Sequence, residues 1–186
     1  MTKRAALLTC IILAAGATPA AASGHFNPYI GVDAARTVVD FKNGVNNILD
    51  DTANGYHVYV GNRFTRFFGI EAGFFDTFYN SHNSVVGTTK WKTHGWNVDL
   101  VGYYPIDSAG RFEVLGTAGG TWASIRAKLG TAGDAEEEDI NPRFGLGLQY
   151  SITDHVAARG MARWQSTGFK DAGDVWTYSA GLNYNF

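Results

Sequence analysis

The sequence predicts an all-β protein, an eight-stranded antiparallel up-and-down transmembrane β-barrel. Three observations carry that expectation. Apolar residues recur at every second position in eight blocks of roughly ten residues. The alternate face of each block is small, polar or charged, and aromatic residues gather at the ends of the blocks. Composition agrees: 12 Phe, 9 Tyr and 5 Trp among 186 residues are far more burial than a disordered chain carries. A formal net charge of −2 without basic clusters argues against nucleic-acid binding, because nothing would neutralise a row of phosphates. Outside the first 22 positions no run of 18 apolar residues occurs, which excludes helical membrane spans.

The first block presents Ile30, Val32 and Ala34 on one face and Asp33 on the other; the second presents Tyr56, Val58 and Val60, with His57 opposite. Phe68, Ile70, Ala72 and Phe74 form the third, against Glu71. The fourth runs Trp96, Val98, Leu100, Gly102, Tyr104 against Asn97 and Asp99, and the fifth Phe112, Val114, Gly116, Ala118, Gly120, Trp122 against Glu113 and Thr117. Phe144, Leu146, Leu148 and Tyr150 oppose Arg143 and Gln149 in the sixth. In the seventh, Val156, Ala158, Gly160, Ala162 and Trp164 oppose Arg159 and Arg163. The eighth carries Trp176, Tyr178, Ala180, Leu182, Tyr184 and Phe186 against Thr177, Ser179 and Asn183.

A soluble sandwich turns its apolar face inward and covers the other with lysines and glutamates, whereas here the second face is too small and too tightly spaced for that. Apolar out and polar in is the transmembrane barrel pattern. The aromatic girdles test it independently. With alternating strand direction, Phe64, Phe68, Tyr104, Phe112, Tyr150 and Phe186 collect at one interface, and Tyr56, Phe74, Trp96, Trp122, Phe144, Trp164 and Trp176 at the other. Ten residues separate Phe112 from Trp122; at ~3.3 Å per residue and a ~40° tilt the band is about 25 Å tall, the apolar height a barrel needs. Three connections are short (63–67, 105–111, 151–155), and four are expected to be long or charged loops (39–54, 76–94, 126–141, 166–174). Short turns on one side and long loops on the other match outer-membrane barrels.

The N-terminus reads as an export signal. Lys3 and Arg4 precede an apolar run from Ala5 to Ala15, too short to span a bilayer, and Ala20 to Ala22 offer small residues at a cleavage site. Residues 1–22 are therefore expected to be a secretory signal peptide and 23–186 one barrel domain, with a mature N-terminus near Ser23. Thr9 is bulky for the residue before a lipidated cysteine, which argues against lipidation at Cys10. The mature chain then has no cysteine and no disulfide.

Four segments carry a family resemblance: Gly69 to Phe74 (GIEAGF), Val101 to Ile106 (VGYYPI), Gly147 to Arg159 (GLQYSITDHVAAR) and the terminal Gly181 to Phe186 (GLNYNF). In order and spacing they resemble the eight-stranded membrane domain of outer membrane protein A (OmpA) and its small outer-membrane relatives. The resemblance implies a monomeric barrel plugged by an internal charge network, with Glu71 and Arg159 at the positions of the family's acidic and basic gate residues. Val101 and Gln149 depart from it, standing where the family has an inward lysine and an inward glutamate. Together with Asp33, Asp99, Glu113, Arg143 and Arg163, Glu71 and Arg159 form the expected lumen network, three arginines against four carboxylates. The terminal strand, ending in Tyr184 and Phe186, resembles the recognition signal of the barrel-assembly machinery, and periplasmic chaperones are the expected escorts.

Enzymatic chemistry finds little support. Of the five histidines, His25 precedes the first strand, His82 and His94 belong to the second long loop or its edge, and His155 lies in a short turn. Only His57 faces the interior, and no nucleophile–base–orienter arrangement is visible. The acidic run Asp134 to Asp139, expected in the third long loop, lacks the alternating ligands and turn glycine of a calcium loop; Asp50 and Asp51 read as another solvated charge cluster. No cofactor is expected. Two function classes stay open: a structural or surface-interaction protein, whose loops meet lipopolysaccharide, host or phage surfaces, and a narrow ion or solute channel. Eight strands leave an interior that side chains nearly fill, which favours the first.

Overall fold

A computed structural model describes residues 26–41, 52–78, 80–84, 87–129, 134–166 and 172–186. The expected signal peptide and the Asp50–Asp51 pair lie outside these residues. Among them run β1 (Asn27–Phe41), β2 (Thr52–Arg63), β3 (Phe68–Thr77), β4 (Asn80–Ser84), β5 (Gly87–Pro105), β6 (Phe112–Leu129), β7 (Asp134–Ser151), β8 (Val156–Gln165) and β9 (Ala172–Asn185). Neighbours in sequence pair antiparallel, except that β3 and β4 do not pair with each other and both pair with β5. β1 pairs with β9 from Tyr29 opposite Asn185 onward, and that seam closes the sheet. Closure satisfies the backbone of every strand inside lipid, where an open edge would leave polar groups unpaired. Stepping from partner to partner round the barrel displaces the register by about ten residues, consistent with a strand tilt of about 40°.

β3 and β4 form one stave of the eight. Asp76 lies opposite His94 and Asn80 opposite Trp91, so the register shifts by one residue between the two pairs, a bulge. The hydroxyl of Thr77 fills the gap in the ladder: it accepts from the Thr93 N–H at 2.8 Å and donates to the Thr93 carbonyl at 3.1 Å.

Two expected loops are largely strand. The 76–94 connection is the β3/β4–β5 hairpin, with His82 in β4 and His94 in β5, and the 126–141 connection is the β6–β7 hairpin. The acidic run is therefore not loop. Asp134 to Asp139 belong to β7, opposite Lys128 to Ala123. Charge concentration suggested a solvated loop, but beyond the membrane a hairpin needs only paired backbone, and polar residues on both faces erase the alternation that marks a strand.

The short turns close as their residues dictate. Asp107 accepts from the N–H groups of Arg111 and Phe112, and Gly110 takes the left-handed φ of 67° that ends this turn. Thr65 and Thr153 cap the other two, each accepting from the N–H three residues on.

The faces divide by parity. Even-numbered residues of the band point out: Val32, Leu100 and Leu146 are exposed, as are the girdle residues Trp96, Trp122, Tyr104 and Phe112. Odd-numbered ones point in. The interior is less uniformly polar than the sequence suggests, because Val101, Tyr103, Leu115 and Met161 form a buried apolar cluster in the lumen. Tyr29 and Tyr59 lie flat across the wall. Any side chain at Gly31 would strike the ring of Tyr59, and one at Gly61 the ring of Tyr29, so each glycine seats the tyrosine of the neighbouring strand.

Candidate functional site: the charged lumen

Alternation on eight tilted strands turns one titratable or polar side chain after another into a space too narrow for bulk water. Asp33, Glu71, Asp99, Glu113, Arg143, Arg159 and Arg163 are all buried. Taking such charges from water is costly unless each finds an opposite charge, and each carboxylate does.

Glu71 of β3 meets Arg159 of β8 across the lumen, with Nη1 donating to Oε2 at 2.6 Å and both side chains fully buried. Tyr29 Oη donates to the same Oε2 at 3.2 Å. That uses the one Tyr29 proton, so Tyr103 donates in the 2.9 Å contact between the two hydroxyls. Arg163 lies between two acids, 3.9 Å from Glu71 Oε1 and 3.8 Å from Asp33 Oδ2. Ser179 relays it further, accepting from Arg163 Nη1 at 2.8 Å and donating to Asp33 Oδ2 at 3.1 Å. Arg143 pairs with Asp99 at 3.0 Å. The Arg159 guanidinium also lies over the Tyr59 ring, 5.0 Å from its centre.

At the periplasmic end the structure supplies a fourth arginine. Arg63, placed by the sequence reading in a short connection, is the last residue of β2 and grips Glu113 with two nitrogens, at 2.8 and 3.2 Å. Its guanidinium stacks on Tyr103 at 4.1 Å and also donates to the carbonyls of Thr65 and Arg66. Gln149 donates to Glu113 and accepts from Asn183, both at 3.2 Å. Among the described residues the lumen thus holds four arginines against four carboxylates. Continuing the odd-number parity of His57, Tyr59 and Gly61 by one step would have found Arg63.

Position 101 brings no cation into this network; Val101 is fully buried within the apolar cluster. His57 has Asn97 Oδ1 at 3.0 Å from Nε2 and Asp33 Oδ2 at 3.7 Å from Nδ1. Ser179 is engaged by Arg163 and Asp33, so among the described residues this buried serine and histidine do not form a nucleophile–base pair. No group of His, Cys, Asp and Glu among the described residues has metal-holding geometry.

The terminal strand is secured at the periplasmic rim. The Phe186 N–H donates to the Pro28 carbonyl at 3.1 Å, and His155 binds Asn185 through backbone and ring. Tyr184 and Phe186 face outward, exposed and edge to face with ring centres 5.2 Å apart.

Solved structures with this architecture include Neisserial surface protein A, with a TM-score of 0.67 at 17% identity over 86% of this chain and 97% of that one. Ail, the attachment invasion locus protein of Yersinia pestis, solved with the heparin analogue sucrose octasulfate, gives 0.63 at 16% identity over 87% and 99%. OprG of Pseudomonas aeruginosa gives 0.62 at 14% identity over 88% and 98%. At these identities the likeness is one of fold. No curated protein matches the chain. Residues 6–186 match the family described as outer membrane protein beta-barrel domain, and with the closed eight-stave barrel, its apolar outer band and its two girdles, the chain belongs to that family of bacterial outer-membrane proteins.

Proposed function

We propose that the protein is a non-enzymatic, monomeric outer-membrane barrel with a plugged lumen, acting through the segments it raises above the outer leaflet. The pairing of all four described lumen carboxylates with arginines, together with the apolar cluster of Val101, Leu115 and Met161, carries this reading. A pore would need those pairs to part, and the Glu71–Arg159 bridge is the one to open first in the channel alternative, since it spans the barrel. Planar-bilayer recording separates the two: the plug expects no steady wild-type conductance, with leak appearing in Arg159→Ala. Large, stable wild-type channels would refute the plug.

The surface partner follows from charge. Beyond the girdle, segments 36–55, 75–95, 123–141 and 165–175 together carry 11 acidic and 7 basic residues. A sulfated polyanion of the kind seen with Ail is a poor electrostatic match to that balance. Lipopolysaccharide reached through divalent cations, or a host or phage surface bearing positive charge, suits it better. Protein held in nanodiscs should fail to retain a heparin analogue at physiological salt, and retention there would overturn the assignment. Export with cleavage after Ala22, and assembly through Tyr184 and Phe186, complete the proposal. Mass spectrometry of purified outer membranes should find Ser23 at the mature N-terminus, and an intact Met1 would remove the export route.

A further inference from the structure

His57 is buried at 3% exposure and stacks on Tyr59 with ring centres 5.2 Å apart. Any side chain at Gly73 would strike its Nε2, so β3 leaves a space for this imidazole. Its hydrogen bonding is decided by a neighbour two steps away. Asp99, ion-paired to Arg143, can only accept. Asn97 must therefore turn its amide N–H toward Asp99, and it does, Nδ2 donating to Oδ2 at 3.0 Å. That leaves Asn97 Oδ1 facing His57 Nε2 at 3.0 Å, an acceptor that requires the proton on Nε2. The opposite amide orientation would set an oxygen against a carboxylate, so the Asp99 carboxylate fixes which way the Asn97 amide points.

The other ring nitrogen is then the one that titrates. Among the described residues Nδ1 has no hydrogen-bond partner, and it faces Asp33 Oδ2 at 3.7 Å. With Nε2 already protonated, a neutral ring aims a lone pair at a carboxylate; a protonated ring aims an N–H at it. We propose that His57 is a proton-operated brace in the upper lumen: proton uptake at Nδ1 ties β1, through Asp33, to β2 and, through Asn97, to β5. The proposal rests on the plugged-lumen reading and adds that the tightness of the plug depends on pH.

The charges around the ring set opposing demands. Asp33 on β1, Glu71 on β3 and Asp99 on β5 favour the added proton, while Arg143 on β7 and Arg159 and Arg163 on β8 oppose it; Asn97 and Tyr59 are neutral. Among the described residues the four arginines and four carboxylates of the lumen cancel, so protonation of His57 adds one net positive charge to them. Histidine suits this use because its charge changes within the ordinary pH range. The brace is present at low pH and is lost as pH rises through the midpoint of His57.

The test is imidazole 15N NMR of the whole barrel in lipid nanodiscs, titrated from about pH 8 to about pH 5, a range that brackets an ordinary histidine. In the neutral form, the His57 signals should show Nε2 protonated and Nδ1 bare; on acidification Nδ1 should gain the proton, with the Asp33 carboxyl shift moving at the same midpoint. Asp33→Asn should lower that midpoint by one pH unit or more. A neutral form carrying its proton on Nδ1, a ring that stays neutral throughout, or a midpoint indifferent to Asp33→Asn would each overturn the brace. The tautomer is read on wild-type protein, so the proposal stays testable if the variant fails to assemble. Conductance plays no part in this readout, so failure of the plug and failure of the brace are told apart.

Discussion

Replacing Arg159 with methionine removes the guanidinium and keeps most of the side-chain volume, leaving Glu71 fully buried without its shortest partner. Removing one member of a buried ion pair costs roughly 3–5 kcal/mol, most of it the penalty of the stranded charge. Here part is recovered. Tyr29 still donates to Glu71 at 3.2 Å, and Arg163, at 3.9 Å, still neutralises it at a distance. The expected loss therefore sits at the low end, about 3 kcal/mol. Glu71→Gln in the same chain removes the stranded charge, so the double variant should be about 2 kcal/mol more stable than Arg159→Met alone, most of the penalty of the stranded charge. Urea unfolding in lipid vesicles, followed by Trp fluorescence and by the compact band on cold detergent gels, measures both. A loss below about 1 kcal/mol for Arg159→Met, or a double variant no more stable than that single one, would refute the argument that this pair carries the lumen's electrostatic balance.

Three further outcomes are expected from the same assays. Gly31→Ala should destabilise the barrel by about 1–3 kcal/mol, because a methyl group there meets the Tyr59 ring and forces it off the strand, whereas Gly116→Ala, in open space on the lipid face, should cost nothing measurable. Leu100→Arg, at an exposed position of the outer band, should cost about 2–4 kcal/mol in a bilayer, the penalty of a cation near its midplane. Deleting Phe186 removes the N–H that bonds to Pro28 at the closing seam and should reduce the yield of the compact, heat-resistant form; unchanged yield would deny the terminal residue an assembly role.

Sequence alone determined the fold class, the strand order and the face on which each residue of the band lies. A barrel wall between lipid and a filled lumen imposes a strict period of two, and the girdle aromatics mark where lipid ends. Past that boundary the constraint lapses, which is why the strand character of Asn80 to Ser84 and Asp134 to Asp139 was invisible and their polarity read as loop. Parity also placed seven of the eight paired lumen charges inside. It could not say which acid meets which arginine. Glu71 and Arg159 lie 88 positions apart, and Arg63 and Glu113 lie 50 apart, on strands that do not pair; their meeting is set by the shear of the closed sheet and by which glycines leave room for the rings between. The apolar cluster of Val101, Tyr103, Leu115 and Met161 was likewise hidden, because a lumen residue is read as polar until closure brings four apolar ones to the same depth.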